Sequence, residues 1–369
     1  MKKIKGGNLV KLVAFFVIAA VLTCTASFAA NGWQSFVDKE PDSDNADGNL
    51  PDGEVDENTD GNTGGGEQVV VPAPEFYHYL TGLTVSAEES NERPLAFIYG
   101  GGEPNYGFSA AQLAIEIPVE NGNTRTVAFI SASEYLGKIG SIAPTRDYMT
   151  SIVGSFGGLL IHKGNDDSFE YGDSVRSDGL DLCENQGYSY TEYNSYHFSN
   201  GDLVAALLKN TGASTVKPTG AIAPYLFNEK GAHDIVGADS AITVTIPYSD
   251  TNTTELVYEA MSGKYTLHKG GEAVKDLLND KTCEYVNAFI LYADSTTYET
   301  AEATETVIDT SGSGVGYYFT RGSAIKISWS MEGGSLVFRS EDGRILTVNR
   351  GSSYIAFERS SRINNTVYN

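Results

Sequence analysis

Two glutamates and a histidine are the residues of this chain whose types and spacing could do chemistry. Glu116 and Glu120 are four residues apart, so on a β-strand their side chains would project from the same face. Two carboxylates with a histidine such as His162 could perform acid/base catalysis or cleave a glycosidic bond. The same residue types also form buried ion pairs, and arginines near them would either clamp an anionic ligand or neutralise them. The sequence leaves both roles open.

His162 follows elements that would place it at the end of a strand. Pro144 suits the first turn of a helix, and four apolar residues after it recur at helical spacing. The glycine pair at 157–158 would end this helix, and the apolar run 159–161 predicts a strand covered on both faces. Ligands usually bind at such a strand end, so His162 and the polar loop 163–167 are the predicted rim of a site. The helix face consists of Met149, Ile152, Val153 and Phe156.

The stretch 187–198 (GYSYTEYNSYHF) concentrates aromatic residues around His197. Tyrosine rings offer flat surfaces with a hydroxyl group, so the stretch could form a platform for the apolar faces of sugar rings. A flap that seals the core is the other interpretation. The candidate platform residues are Tyr188, Tyr190, Tyr193 and Tyr196, with Phe198 beside them.

Recognisable catalytic signatures are absent from the sequence. Residues 214–217 (STVK) and 323–326 (SAIK) have the Ser-x-x-Lys spacing of penicillin-interacting enzymes, but neither opens a convincing helix and no Lys-Thr-Gly companion follows. Five histidines and no CxxC pair leave little for a metal centre. We therefore predict no cofactor and no metal, and we favour a protein without enzymatic activity while leaving the enzyme class open.

The charge of the chain restricts its partners. A formal net charge of -23 argues against nucleic acid, which is bound through lysine and arginine, and against adhesion to anionic lipid head groups. The apolar share of 41% is ordinary for a globular protein, and 369 residues are enough for two domains.

The N-terminus has the pattern of a secretory signal. Basic residues up to Lys11 precede the apolar core 12–22 (LVAFFVIAAVL), which is short for a membrane span. Two processing routes are open: cleavage after Ala29, or lipidation of Cys24, which ends an imperfect lipobox. We expect an exported protein on the extracellular face of the membrane or in the cell wall. Its only membrane contact would be a lipid on Cys24.

An acidic segment follows the signal. Residues 38–67 hold eleven carboxylates and one lysine with almost no apolar side chains, which predicts a disordered tether. The predicted organisation is a signal peptide at 1–29, a tether at 30–74, an α/β domain at 75–235, a β-rich domain at 236–360 and a tail at 361–369. Cys183 and Cys283 could pair in an oxidising compartment or remain separate buried thiols.

The expected fold follows from these periodicities. Residues 94–99 read as a buried strand, and 113–119 with 125–131 read as a hairpin. Ser199 and Asp202 predict a capping box for a helix at 203–209, whose inner stripe would be Leu203, Ala206 and Leu207. After residue 236, short alternating segments and an Asp-Gly turn at 342–343 predict mainly antiparallel strands. The fold class is thus α+β or α/β with a central mixed sheet, followed by a mainly antiparallel β domain.

Short segments in both halves carry a resemblance to a known family. In the first half they are 80–83 (LTGL), 116–125 (EIPVENGNTR), 138–140 (KIG), 146–148 (RDY) and 160–164 (LIHKG). In the second half they are 314–319 (GVGYYF), 327–329 (ISW) and 343–354. Together they resemble the YerB-like lipoprotein family of Gram-positive bacteria. The resemblance implies an exported two-domain protein, commonly lipid-anchored, from a family of unknown biochemical function.

The resemblance also singles out candidate ligand-binding residues. In the family pattern two arginines follow the glycine that corresponds to Gly140, but here Ala143 stands at the first position. An activity that required both arginines is therefore in doubt for this chain. The candidates are Glu116, Glu120, Arg125, Arg146, His162 and His197.

The predicted function is that of an exported, envelope-associated binding or accessory protein, whose partner is cell-wall glycan, another cell-wall component or an envelope protein. The alternatives are a cell-envelope hydrolase that uses Glu116 or Glu120 with His162, and a protein-interaction scaffold. Geometry separates them. Convergence of these side chains and Arg146 on one open cleft favours a ligand or an enzyme, whereas pairing in the interior favours a scaffold.

Overall fold

The computed structural model describes residues 74–369, except 103–104, 132–134, 165–178, 194, 230, 232, 236–237 and 300–303. The predicted signal peptide, Cys24 and the acidic tether lie outside these residues. Within the described part of the chain, no helix is both long enough and apolar enough to cross a membrane.

Strands make up most of the described secondary structure. The two α-helices there are α1 (Asp147–Ser155) and α2 (Gly201–Thr211). The strands of the first half are β1 (Phe76–Tyr77), β2 (Thr84–Val85), β3 (Leu95–Gly100), β4 (Leu113–Pro118), β5 (Thr124–Ile130), β6 (Ile139–Gly140), β7 (Leu159–His162), β8 (Gly179–Asp181), β9 (Tyr190–Glu192), β10 (Tyr196–Ser199) and β11 (Leu226–Phe227).

The second half contributes the longer strands. They are β12 (Asp239–Ser240), β13 (Thr243–Pro247), β14 (Thr253–Glu259), β15 (Lys264–Lys269), β16 (Glu272–Ala273), β17 (Glu284–Tyr285), β18 (Asn287–Ala293), β19 (Ser295–Glu299), β20 (Thr304–Ile308), β21 (Ser313–Thr320), β22 (Ser323–Glu332), β23 (Ser335–Ser340), β24 (Thr347–Val348), β25 (Ser353–Arg359) and β26 (Val367–Tyr368).

A central sheet of 11 strands organises the molecule. Its order is β12-β22-β21-β18-β25-β4-β5-β3-β7-β8, and β23 pairs with β22. The sheet is mixed, because β25 lies parallel to β18 and β4 while β4 and β3 are antiparallel to β5. The β25–β4 pairing, with Ile355 opposite Ile115, joins strands from both predicted domains. Residues 71–369 form one compact unit, and the domain boundary at residue 236 stays a prediction.

Strand β3 shows why the first-half strands lack polar alternation. Phe97 and Tyr99 belong to the core cluster that includes Val204 of α2, whereas Ile98 belongs to the cluster that includes Met149 of α1. Both faces of the strand are therefore buried, and both need apolar side chains. The predicted strand at 94–99 is confirmed.

Helix α1 buries the face that the sequence predicts. Met149, Ile152 and Val153 of the helix and Phe156, its C-cap, are all buried, and each contributes roughly 1.5–3 kcal/mol by leaving water. The helix begins at Asp147 with Arg146 as its N-cap, so Pro144 precedes the first turn rather than lying in it. Gly157 follows the helix at a φ of 67°, a left-handed conformation that glycine adopts without a steric penalty.

The N-cap of helix α2 lies one residue after the predicted one. Asn200, not Ser199, is the N-cap, and its Oδ1 accepts a hydrogen bond from the Leu203 amide at 2.9 Å. The Ser199 hydroxyl instead donates to the carbonyl of Tyr188 at 2.8 Å. The helix runs from Gly201 to Thr211 instead of 203–209 and buries Val204 and Leu207, while Leu203 is half-buried and Ala206 is exposed. Asparagine competes as a cap because its carbonyl oxygen reaches the same orphan amides as serine.

A second, antiparallel sheet covers part of one face of the central sheet. Its order is β16-β15-β14-β13-β26, and β17 pairs with β15. Leu256 and Leu267 from this sheet share a core cluster with Ala114 of β4 and Ala356 of β25. The predicted 113–119/125–131 hairpin is present as β4 and β5, and Gly343 lies in the predicted turn at a φ of 82°. The predicted fold class is confirmed: a mixed central sheet with mainly antiparallel strands in the second half, mostly β with little helix.

Candidate functional site

Glu116 lies in the interior between the two sheets. Its side chain is fully buried, and Thr124 and Thr254 donate hydrogen bonds to the two carboxylate oxygens at 2.6 and 2.9 Å. The Tyr354 hydroxyl donates a further hydrogen bond, and Lys269 forms an ion pair with the carboxylate. Four donors from four strands thus converge on one carboxylate.

These contacts keep Glu116 ionised. Burial by itself would raise the pKa of the carboxyl group, but the charge of Lys269 and the hydrogen bonds outweigh burial, so that the pKa is lowered. The Tyr354 hydroxyl shows the reverse effect, because burial and the adjacent negative charge raise its pKa well above the usual value. An ionised, enclosed carboxylate of this kind holds the two sheets together and has no proton to donate.

Glu120 belongs to a different ion-pair cluster. It lies in the 3-10 turn Glu120–Gly122 after β4, with its side chain 22% exposed. Arg125 Nη2 donates to Oε1 at 3.1 Å, and Arg146 Nη2 donates to Oε2 at 2.5 Å. The other Nη atoms of the two arginines donate to the carbonyls of Pro144 and Thr145, at 2.6 and 3.0 Å. The arginines therefore fasten the turn to the segment that precedes α1.

His162 is enclosed at the end of β7. Only 7% of the residue is exposed, and its Nδ1 donates to the carbonyl of Gly164 at 2.9 Å. Nε2 lies so close to β8 that a Cβ at Gly179 would be 2.9 Å away. Strand β7 is next to the edge strand β8 rather than central. The loop of His162 does approach that of Arg146, since the Thr145 amide donates to the Gly164 carbonyl at 3.1 Å.

Ala143 fills the position where the family pattern has an arginine. The residue is 5% exposed and packs in the core cluster of α1, and its amide donates to the carbonyl of Ile98 at 2.8 Å. Its carbonyl accepts from the Lys163 amide at 3.2 Å. The small side chain thus joins the interior at this position.

The aromatic stretch forms the outer part of a small sheet with the order β6-β10-β9. Tyr193 is 59% exposed, whereas Phe198 is fully buried beneath it. Tyr188, Tyr190 and Tyr196 are half-buried. The stretch therefore divides between the two interpretations of the sequence: Phe198 seals the core, and the tyrosines present a surface.

His197 lies on the same small sheet. Its Nε2 is 3.4 Å from Thr191 Oγ1, and partial burial together with the charge of Lys163 lowers its pKa. On strand β10 its side chain alternates with those of Tyr196 and Phe198, so it projects from the opposite face of the small sheet.

Lys138 is the main participant that the sequence reasoning missed. Its ammonium group lies over the rings of Tyr106 and Phe198 and forms an ion pair with Glu192. The only sequence signal was its place in the resemblance segment 138–140. Lys269, the partner of Glu116, gave no signal, because it lies 153 positions away in the chain.

Among the cavities that the described residues line, three contain no candidate residue from the sequence. One of about 280 Å³ lies at the end of α1 beside Arg93, and one of about 400 Å³ lies beside α2. A third, also of about 400 Å³, is lined by Asp147, Asp294, Asp309 and several hydroxyl groups. Glu116 pairs with Lys269 and Glu120 pairs with two arginines, so these two carboxylates lie in separate clusters, and the ligand role of each candidate stays a prediction.

The described residues contain no group of three or more His, Cys, Asp or Glu side chains that could hold a metal ion. Cys183 is an exposed free thiol and Cys283 is a buried one, so the two do not form a disulfide. Burial raises the pKa of the Cys283 thiol to about 12.

The fold is that of a mostly β protein built on one mixed sheet. Strands from both halves of the chain form this sheet. Residues 80–200 match the N-terminal domain of "Protein of unknown function (DUF3048)", and residues 244–355 match its C-terminal domain. The chain therefore belongs to this YerB-like family, whose function is unknown, and the resemblance stated from the sequence is confirmed.

A solved structure is similar to the described fold. It is the crystal structure of the YerB protein from Bacillus subtilis, with a TM-score of 0.69 and 20% sequence identity, covering 80% of this chain and 99% of that chain. At this identity the likeness establishes the fold alone. Comparison with curated proteins gives no match.

Proposed function

We propose that this protein is an exported binding protein of the cell envelope that holds a cell-wall component on the tyrosine surface of β9 and β10. The observation that carries the proposal is the exposed Tyr193, supported from below by the buried Phe198. Tyrosine at a surface offers a large contact area with few rotatable bonds, which suits it to binding. The signal-like N-terminus and the acidic tether support delivery to the envelope.

The side chains proposed for catalysis have other partners. Glu116 is buried under Lys269, and both oxygens of Glu120 accept from arginines. A glycoside hydrolase of the usual kind needs one carboxylic acid that carries a proton at the substrate. This arrangement disfavours the hydrolase alternative and favours binding without turnover.

Sedimentation with purified Gram-positive cell walls tests the proposal. The wild-type protein should co-sediment with the walls, and Tyr193→Ala should weaken binding by about tenfold, because a tyrosine at a binding centre typically contributes about 1–2 kcal/mol. Tyr298→Ala is the matched control, since this tyrosine is 46% exposed on β19, outside the small sheet. It should bind like the wild type.

Three outcomes would contradict the proposal: no co-sedimentation, equal losses in the two tyrosine variants, or release of soluble glycan fragments by the wild type. The last would restore the hydrolase.

A protein-interaction scaffold is the second candidate. It is favoured by the observation that the predicted acidic and basic residues pair with one another inside the chain. Treating the walls with a protease before sedimentation separates the two candidates. A scaffold loses its partner, whereas a protein that binds a cell-wall polymer keeps it.

A further inference from the structure

Three aromatic rings and a carboxylate surround the ammonium group of Lys138. Nζ lies 4.1 Å from the ring centroids of Tyr106 and Phe198 and 5.4 Å from that of Tyr193. All three distances fall within the range of a cation–π contact. The Glu192 carboxylate closes the arrangement at 2.6 Å. We call these four residues the ammonium box.

The rings of the box have the arrangement of a floor and two walls. Tyr106 stands at 88° to the Phe198 ring and Tyr193 at 81°, so both tyrosines are edge-on to the buried phenylalanine. The two tyrosine hydroxyl groups are 3.4 Å apart. Electron-rich faces that surround one point in this way, with an acidic group beside it, are the recognition device for substituted ammonium ions.

The box lies at the protein surface rather than in the core. The Glu192 side chain is 40% exposed and Tyr193 is 59% exposed, whereas the Lys138 side chain is only 15% exposed. The hydrogen bond and charge of Glu192 outweigh the effect of burial and raise the pKa of Lys138. The occupant is therefore a protonated lysine, held in a site that opens to solvent.

The backbone of Tyr193 supports a specific role for its ring. Its φ of 51° is a left-handed conformation that non-glycine residues rarely adopt. Such strain persists where the surrounding structure holds the residue in place, and it concentrates at binding sites. Here the conformation accompanies the placement of the ring against Phe198.

We propose that the ammonium box is a binding site for an ammonium group on a cell-wall polymer, and that Lys138 occupies it until such a ligand displaces it. The identity of the polymer rests on the proposed function, whereas the ammonium chemistry rests on the box itself. The formal charge of -23 attracts cationic ligands to the protein. Competition from Lys138 lowers the apparent affinity by the fraction of time that the box is filled.

Choline is the probe, because its quaternary ammonium group fits an aromatic box and needs no hydrogen bond. Replacing Lys138 by methionine keeps an unbranched side chain, one atom shorter, and removes the ammonium group. Calorimetric titration of the full chain with choline should therefore show binding that is at least about tenfold tighter in Lys138→Met than in the wild type. The neutral isostere of choline, which has carbon in place of nitrogen, should bind no more tightly to Lys138→Met than to the wild type.

Two further variants make the titration decisive. Lys217→Met is the matched control, because Lys217 lies over the single ring of Tyr79, at 4.8 Å, and should gain no choline binding. Adding Tyr193→Ala to Lys138→Met should abolish the gain, with circular dichroism showing that both variants are folded. The proposal is overturned if Lys138→Met binds no more tightly than the wild type. It is equally overturned if the isostere or Lys217→Met shows the same gain.

Cell-wall sedimentation in the presence of choline separates this proposal from the proposed function. Choline that binds Lys138→Met and releases the wild type from walls supports both. Choline binding without any wall binding supports the ammonium site and overturns the envelope role. If the protein binds walls, but choline neither binds to it nor reduces the wall binding, the ammonium site is overturned and the envelope role stands.

Discussion

The substitution Lys269→Met tests most directly how the buried ion pair of Glu116 and Lys269 contributes to stability. This substitution leaves a carboxylate that is fully buried without its compensating charge. At pH 7 the carboxyl group can take up a proton instead, and from its ordinary pKa of 4.5 this costs about 3 kcal/mol. That figure is an upper limit, because Tyr354 and the two threonines still donate to the carboxylate. It lies at the lower end of the about 3–5 kcal/mol that breaking a buried ion pair costs.

The sign of the pH dependence follows from the direction of each pKa shift. In the wild type the pKa of Glu116 is lowered, so its contribution to stability is present above the ordinary carboxyl pKa and is lost as the pH falls through the folded-state value. In Lys269→Met burial is no longer offset by the charge of Lys269 and raises the pKa of Glu116, against the smaller effect of the hydrogen bonds that remain. The deficit of the variant therefore grows as the pH rises, from about 1 kcal/mol at pH 5 to about 3 kcal/mol at pH 7.

Urea unfolding at both pH values measures these deficits, with the fluorescence of the buried Trp329 as the probe. Lys264→Met is the matched control, because Lys264 lies on the same strand and pairs with Glu284 at 3.4 Å, with both side chains partly exposed. Its deficit should stay below about 1 kcal/mol at either pH. The electrostatic account of Glu116 is refuted if the Lys269→Met deficit does not change with pH or equals that of the control.

Two further predictions concern stability. Burial and the charge of Lys217 lower the pKa of His78 to about 4. The contribution of His78 to the stability of the fold is therefore complete above the ordinary pKa of 6.5 and is lost as the pH falls towards 4. An NMR titration that found the ring protonated near pH 6 would contradict this. Gly314→Ala should destabilise the protein by about 1–3 kcal/mol, since the new Cβ would lie 2.1 Å from the carbonyl oxygen of Tyr292. Gly154→Ala should instead stabilise α1 by about 0.5–1 kcal/mol, because its Cβ meets open space; thermal melts that ranked the two glycine variants equally would be inconsistent with these contacts.

Local sequence patterns predicted which helices and strands surround the site. They predicted the ends of these elements and the contacts of their side chains less well. The β4–β5 hairpin and the buried face of α1 were correct, because turn residues and apolar spacing act over a few residues. The cap of α2 was wrong, since Ser199 and Asn200 are both good caps and the choice depends on the contact that Ser199 makes with Tyr188. The spacing of Glu116 and Glu120 suggested a shared face. Strand β4 ends between them, so the two carboxylates have different environments.

The sequence by itself determined several strands of the central sheet, the helix face and the family, because these depend on periodicity and on short motifs. Only the tertiary structure decided the roles of the charged residues. Glu116 meets Tyr354 across 238 positions of the chain, and Lys138 meets Glu192 across 54. The ionisation and exposure of a side chain depend on the neighbours that folding brings to it, and spacing along the chain does not encode them.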